Sequence, residues 1–322
     1  MDQLRFFRHA SFSSGEITRV RQILRPNGTT FILPYDQFIE HDCRHLEAQS
    51  DSGNPKYLLE LARDAGHNAV ALHYGLSKRF WSQTEGGMPL IVKLNGKTSI
   101  PPEKLSLSVH TSWVEDAVRL GAVGIGYTMY YGSPRQDVDL PQLAAVRKEC
   151  ERYGMPLIIW AYPRGEAIDA KGGRETSYAL ESAARLATEM GATIIKSNLP
   201  RAAKDEFLTN ESVPKYFRKL EQELKSLSAY EQKLERARRV VRAAQGIPVL
   251  FSGGDDKTDA EVLENAEVSV KAGTFGFIYG RNMWKRKKEH AIEMFAKLAA
   301  LLDQSVEQAA FAGGNNRGGV LV

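Results

Sequence analysis

Eight short apolar runs recur along the chain, each followed by a stretch whose apolar residues fall three or four apart, and no other feature restricts the possible folds so strongly. The runs are Thr30 to Pro34, Ala69 to His73, Leu90 to Asn95, Gly124 to Tyr130, Pro156 to Tyr162, Ala192 to Ser197, Pro248 to Gly253 and Thr274 to Gly280. Several are announced by a glycine that ends a helix, as in Ala65-Gly66, Tyr153-Gly154-Met155-Pro156, Met190-Gly191-Ala192 and Ala272-Gly273. Alternation of this kind predicts an α/β chain with a parallel sheet, and eight units over roughly 250 residues predict a (β/α)8, or TIM, barrel. An open doubly wound sheet is the alternative, and it requires a glycine-rich turn after the first run. The chain has Tyr35-Asp36-Gln37-Phe38-Ile39-Glu40-His41 there instead.

The repeat defines one barrel domain at residues 30–302, an N-terminal extension at 1–29 and a C-terminal tail at 303–322. Between the sixth and seventh runs lies a helical insertion, Val213 to Gln245, with apolar residues at Tyr216, Phe217, Leu220, Leu224, Leu227, Tyr230, Leu234, Ala237, Val240 and Val241. It predicts one long amphipathic helix or two, longer than a barrel needs, and hence packing on a further subunit. The glycine- and asparagine-rich end, Gly313 to Val322, reads as a mobile terminus.

Among the 322 residues, 43 basic and 39 acidic side chains are spread along the whole length, giving a formal net charge of +4 and no footprint for nucleic acid. A small anionic ligand suits that balance equally well. The basic run Lys285-Arg286-Lys287-Lys288 reads as a solvated helix face. Two cysteines, Cys43 and Cys150, offer neither a disulfide framework nor a paired metal motif, so a reducing cytoplasm is the expected compartment. No apolar stretch of about 18 residues and no signal-peptide core is present, so neither secretion nor a membrane partner is expected.

In barrels the active site is assembled at the carboxyl ends of the strands, so the residues that close each run can be read together. The sixth run, Ala192-Thr193-Ile194-Ile195, ends on Lys196. An ammonium is costly to bury, and a neutral amine is a nucleophile for a carbonyl, which points to Schiff-base chemistry. The structural alternative is a lysine whose stem lies along the strand end while its head reaches solvent. The fifth run ends with Trp160 and Tyr162, which share one face under period-two alternation. A phenol beside an iminium can shuttle protons, although either ring could simply fill the barrel. Asp36 closes the first run, as a hydroxyl or proton partner or as a turn residue.

The last two runs end in Ser252-Gly253-Gly254 and Gly280-Arg281-Asn282. Bare glycine backbone next to an arginine predicts a phosphate cradle; tight turns are the alternative. His41 and His45 stand at i, i+4 spacing and open a metal reading, but no third strand-end histidine joins them apart from His73, so no metal site is assigned.

Taken with Ile91-Val92-Lys93-Leu94-Asn95-Gly96 and Tyr130-Tyr131-Gly132-Ser133, these motifs resemble the archaeal-type class I fructose-1,6-bisphosphate aldolases, and the match spans most of the chain. The resemblance implies cleavage of fructose 1,6-bisphosphate to dihydroxyacetone phosphate and glyceraldehyde 3-phosphate in glycolysis or gluconeogenesis. It implies a covalent Schiff base through Lys196 with no metal or other cofactor, Tyr162 as proton donor and acceptor, and Asp36 and Trp160 around the reacting carbons. It further implies Ser252, Gly253, Gly254, Gly280 and Arg281 on the phosphate next to the ketone. Gln37, His41 and Arg164 would line the other end of the sugar, and a homo-oligomer is expected. Gln37 departs from the histidine often found there. Related barrels acting on other phosphorylated keto sugars, and a barrel that binds a sugar phosphate without turning it over, remain as alternatives.

Overall fold

The computed structural model describes residues 3–7, 11–40, 50–81, 87–102, 105–255 and 257–314. Its strands in chain order are β1 (Thr30–Tyr35), β2 (Ala69–His73), β3 (Leu90–Lys93), β4 (Asn95–Gly96), β5 (Val109–His110), β6 (Gly124–Tyr131), β7 (Leu157–Pro163), β8 (Ile194–Ser197), β9 (Val249–Ser252) and β10 (Gly276–Ile278). All eight apolar runs therefore form strands. They close a parallel barrel in the order β1-β10-β9-β8-β7-β6-β3-β2, while β4 and β5 make a separate antiparallel pair. The doubly wound alternative is excluded by that closure.

Side chains alternate across each strand, so one set faces the barrel axis and the other faces the helices. Ile32, Ala71, Ile91, Ile158, Ile194, Leu250 and Ile278 fill the interior. Their neighbours Leu33, Leu72, Val92, Ile159, Ile195 and Phe251 pack beneath the helical ring. Continued toward the carboxyl ends, the inward set reaches Asp36, His73, Lys93, Thr128, Trp160, Tyr162, Lys196, Ser252 and Gly280. A single parity rule thus brings most of the chemistry-bearing residues to one end of the barrel.

The opposite end is occupied by the N-terminal extension. Ser13 and Glu16 form a capping box that starts the helix Ser14–Gln22. That helix and the residues after it deliver Val20, Ile23 and Leu24, and Phe7 joins them, to the interior cluster. Phe7 meets Phe275 edge to face, with ring centroids 5.5 Å apart. Truncating one such buried phenylalanine to alanine typically costs about 3–5 kcal/mol, so the extension is part of the core.

The insertion forms two helices, Lys215–Leu224 and Ala229–Ala243. The second takes the regular barrel position against the helices Ser177–Glu189 and Asp259–Ala272. The first is tied to it by a buried ion pair, with Arg236 Nη2 donating to Glu221 Oε2 at 2.7 Å, and Phe217 packs on Tyr178. Arg239 donates to both carboxylate oxygens of Glu181 at 2.6 and 2.9 Å. These residues spend the buried face within the chain, so the length of the insertion does not by itself call for a further subunit. The last helix, Lys288–Gly314, continues past residue 302. Residues 315–322 of the terminus read as mobile lie outside the described residues. No helix of the described residues is long and apolar enough to cross a membrane.

Candidate active site

The carboxyl end of the barrel opens into a cavity of about 300 Å³ lined by Asp36, Trp160, Tyr162, Arg164, Lys196, Ser252, Gly253, Gly254, Gly280 and Arg281, among others. Ten of the residues singled out in sequence are thereby brought together. The backbone of Gln37 begins the short helix Gln37–Glu40, but the Gln37 side chain and all of His41 and His45 lie outside the described residues.

Lys196 is 6% exposed, so its stem does not carry the head out to bulk solvent. Its Nζ lies 4.8 Å from the Trp160 ring centroid and 5.6 Å from that of Tyr162. Trp160 is its register partner on β7. Among the described residues no carboxylate forms an ion pair with it. An amine that faces two π-surfaces is placed to hold the cation of an iminium there, because aromatic faces attract positive charge. Trp160 is itself buried, and its indole N–H finds no acceptor among the described residues.

A second lysine occupies the same level of the barrel. Lys93 closes β3, is fully buried, and has its Nζ 5.4 Å from the Trp160 ring centroid. Unlike Lys196 it is paired: Glu40 accepts from its Nζ, and the Asn95 carbonyl accepts from it at 3.0 Å. Thr128 Oγ1 donates to the same carboxylate at 3.1 Å. Gly126 makes the room, since a Cβ there would meet the Trp160 ring at 2.8 Å and Lys93 Cδ at 3.0 Å. Lys93 carries in sequence the same mark as Lys196, a lysine ending an apolar run, yet it is absent from the residues predicted to act. Glu40 has no comparable mark.

The cradle takes shape from one side chain that sequence leaves without a role. Asn282 donates through Nδ2 to the carbonyls of Gly253 at 3.2 Å and Asp255 at 3.0 Å, and accepts from the Lys257 N–H at 3.0 Å. A Cβ on Gly253 would lie 2.7 Å from that amide nitrogen, so a larger residue there would displace the Asn282 amide from the loop. Arg281 reaches back across the loop to the Gly254 carbonyl at 3.0 Å and Asp255 Oδ1 at 3.2 Å. The Ser252 hydroxyl donates to Asn198 Oδ1.

Lys97, Arg164 and Arg174 line the same cavity. The Arg164 guanidinium stacks over Tyr130 and Tyr162, 5.6 and 5.4 Å from their centroids. Burial, and then the Glu40 carboxylate, hold the Tyr130 phenol well above its usual range, so it stays a neutral donor. His73 is held down to about 4 by burial and then by the Lys93 ammonium, so it is a neutral imidazole near pH 7. Among the described residues no group of three or more His, Cys, Asp or Glu side chains is placed to hold a metal ion.

Residues 30–286 match the family model described as DeoC/LacD family aldolase. The chain is 33% identical over 282 residues to the fructose-bisphosphate aldolase class 1 of Thermoproteus tenax, covering 87% of this chain and 92% of that protein. A solved structure of an archaeal fructose-1,6-bisphosphate aldolase, with its catalytic lysine covalently bound to the carbinolamine intermediate of the substrate, superposes with a TM-score of 0.72 at 30% identity. The superposition covers 89% of this chain and 99% of that one. The 2-amino-3,7-dideoxy-D-threo-hept-6-ulosonate synthase 1 of Archaeoglobus fulgidus is 28% identical over 270 residues, covering 84% of this chain and 85% of that protein.

Proposed function

The chain belongs to the DeoC/LacD aldolase family and is a lyase, and from that premise we propose that it is a Schiff-base fructose 1,6-bisphosphate aldolase acting through Lys196 without a metal. The observation that carries this reading is a buried lysine amine with no ion pair among the described residues, facing Trp160 and Tyr162 in a cavity it shares with the glycine cradle and Arg281.

In this reading the phosphate next to the ketone sits on the backbone of Gly253, Gly254 and Gly280 and on Arg281, with Ser252 beside it. The Lys196 nitrogen adds to the C2 ketone, and loss of water leaves an iminium over the two aromatic faces. The iminium draws the C3–C4 bonding pair toward C2 as the C4 hydroxyl loses its proton, so the bond breaks and glyceraldehyde 3-phosphate departs. The enamine that remains takes a proton at C3, and hydrolysis returns dihydroxyacetone phosphate and the free amine. Tyr162, whose ring the lysine faces, is the proton carrier, and Asp36 serves the substrate hydroxyls. The Trp160 N–H is a donor for a substrate oxygen. Arg164, with Lys97 and Arg174 beyond it and with Gln37 and His41 as the resemblance implies, receives the second phosphate. A place in glycolysis or gluconeogenesis follows from the substrate, and a homo-oligomer in the cytoplasm is the expected form.

The experiment is to mix the purified protein with fructose bisphosphate in excess chelator and follow triose phosphate release. Turnover that chelator leaves undiminished supports the reading. A second reading is favoured by the similarity to the ulosonate synthase and by Gln37: a Schiff-base enzyme for another phosphorylated keto sugar. It is indicated by turnover of such a sugar in place of fructose bisphosphate. No turnover and no borohydride-stable adduct with any sugar phosphate leaves a binding barrel without catalysis.

A further inference from the structure

The strands that hold Glu40 in place lie directly across the barrel from the strands that carry the phosphate cradle. In the closed order β1-β10-β9-β8-β7-β6-β3-β2, the pair β10 and β9 supplies Gly280, Arg281, Ser252 and Gly253, and the pair opposite is β6 and β3. From β3 comes Lys93 and from β6 comes Thr128, and both bond to Glu40. Lys196, on β8, stands between the two pairs on the side closed by β8 and β7. A keto sugar with its first phosphate in the cradle and its C2 at Lys196 therefore runs its far half, the part released as the aldehyde, toward Glu40.

Glu40 is placed in that path as an acceptor. It lines the cavity, yet its side chain is only 8% exposed, and both donors reach the same atom, Oε1. A carboxylate has lone-pair sites on two oxygens, so acceptor capacity remains on the cavity side. Lys93 is fixed in turn by the Asn95 carbonyl and by the space that Gly126 leaves, so the carboxylate is oriented before substrate arrives. A buried, ion-paired carboxylate offered to a cavity suits a hydroxyl and rejects a bare methylene, because an apolar group there leaves its remaining lone pairs unsatisfied.

Resting on the aldolase reading above, we propose that Glu40 is a specificity residue that accepts a hydrogen bond from the hydroxyl adjacent to the aldehyde carbonyl. It thereby selects α-hydroxyaldehydes over their deoxy counterparts in the condensation direction. Lys93 and Thr128 are its positioning residues.

The test compares condensation of dihydroxyacetone phosphate with glyceraldehyde 3-phosphate and with 3-oxopropyl phosphate, which differs by that one hydroxyl. The wild-type protein is expected to prefer the hydroxyaldehyde in kcat/KM by about tenfold to a hundredfold, as for a hydrogen bond to a charged group. Glu40→Gln keeps the volume and an acceptor for Lys93 and is expected to lower that preference at least about tenfold. Glu40→Asp, which keeps the charge and shortens the reach, is expected to lower it too. Borohydride trapping with dihydroxyacetone phosphate alone reads the lysine without the aldehyde. An adduct in both variants shows that the site is folded and the chemistry intact. A preference unchanged in both variants overturns the proposal, as does a wild type that does not discriminate. Failure of the wild type to trap dihydroxyacetone phosphate overturns the aldolase reading and this inference with it.

Discussion

Lys93 and Glu40 form a buried ion pair beside the indole ring that Lys196 also faces, so two lysines at one level of the barrel are in opposite electrostatic situations. Lys93 is bound to a carboxylate and a carbonyl. Lys196 has aromatic faces around it and no ion pair among the described residues. The division favours the covalent role proposed for Lys196 and a supporting one for Lys93, a choice that strand position alone leaves open.

Proton transfer is the first step to check. Tyr162→Phe keeps the ring over Lys196 and removes the hydroxyl. The expected result is a fall in kcat of about 10²–10⁴, the usual worth of a positioned general acid–base, with the borohydride adduct still forming. Steady-state rates together with intact mass after reduction measure both quantities. A rate within about threefold of wild type rules Tyr162 out as the proton carrier.

Phosphate recognition is expected to show in KM. Arg281→Ala removes the guanidinium that spans the cradle and should raise KM about tenfold to a hundredfold, the range for a charge-assisted hydrogen bond. Gly253→Ala brings a methyl to 2.7 Å from Asn282 Nδ2 and should act in the same direction by displacing the loop. Both variants should leave kcat on an unphosphorylated keto sugar close to that of wild type. Equal losses on phosphorylated and unphosphorylated substrates would remove the cradle assignment.

Stability should fall in acid through buried imidazoles. His67 lies between Phe31 and Phe295, with centroids 4.8 Å from each, and burial holds it down to about 3. The unfolded chain takes up this proton near pH 6.5, and the folded chain resists it until about pH 3. Between those values the unfolded state binds more protons, so stability drops as pH falls through the window. The slope is on the order of 1.4 kcal/mol per pH unit for one such group. His67→Phe should flatten the pH dependence of the urea midpoint between pH 6.5 and pH 4.5. An unaltered slope would mean that His67 is not the group responsible.

Much of the architecture is legible in sequence because a barrel strand buried on both faces has to be a short apolar run, and all eight runs became strands. The inward set at the carboxyl end follows from period-two alternation, which is why Trp160, Tyr162 and Lys196 could be placed together in advance. The insertion was open between one helix and two because its apolar spacing continues across the break at residues 225–228. The contacts of its Phe217 and Glu221 with Tyr178 and Arg236, and of Arg239 with Glu181, belong to tertiary packing that no local pattern reports. Glu40 was hidden for the same reason. Its meaning depends on the loop after β1 crossing the barrel mouth to β3 and β6, a contact between residues 53 and 88 positions apart. Asn282 follows directly on Arg281, but nothing in the sequence says that its amide closes the preceding loop.

The most direct measurement is borohydride reduction of the protein with dihydroxyacetone phosphate, followed by peptide mapping of the modified lysine in wild type and in Lys196→Met. The adduct is expected on Lys196 in the wild type, with Lys93 unmodified, and no adduct or turnover is expected in Lys196→Met. An adduct on Lys93, or cleavage of fructose bisphosphate that survives Lys196→Met in a folded protein, would contradict the account.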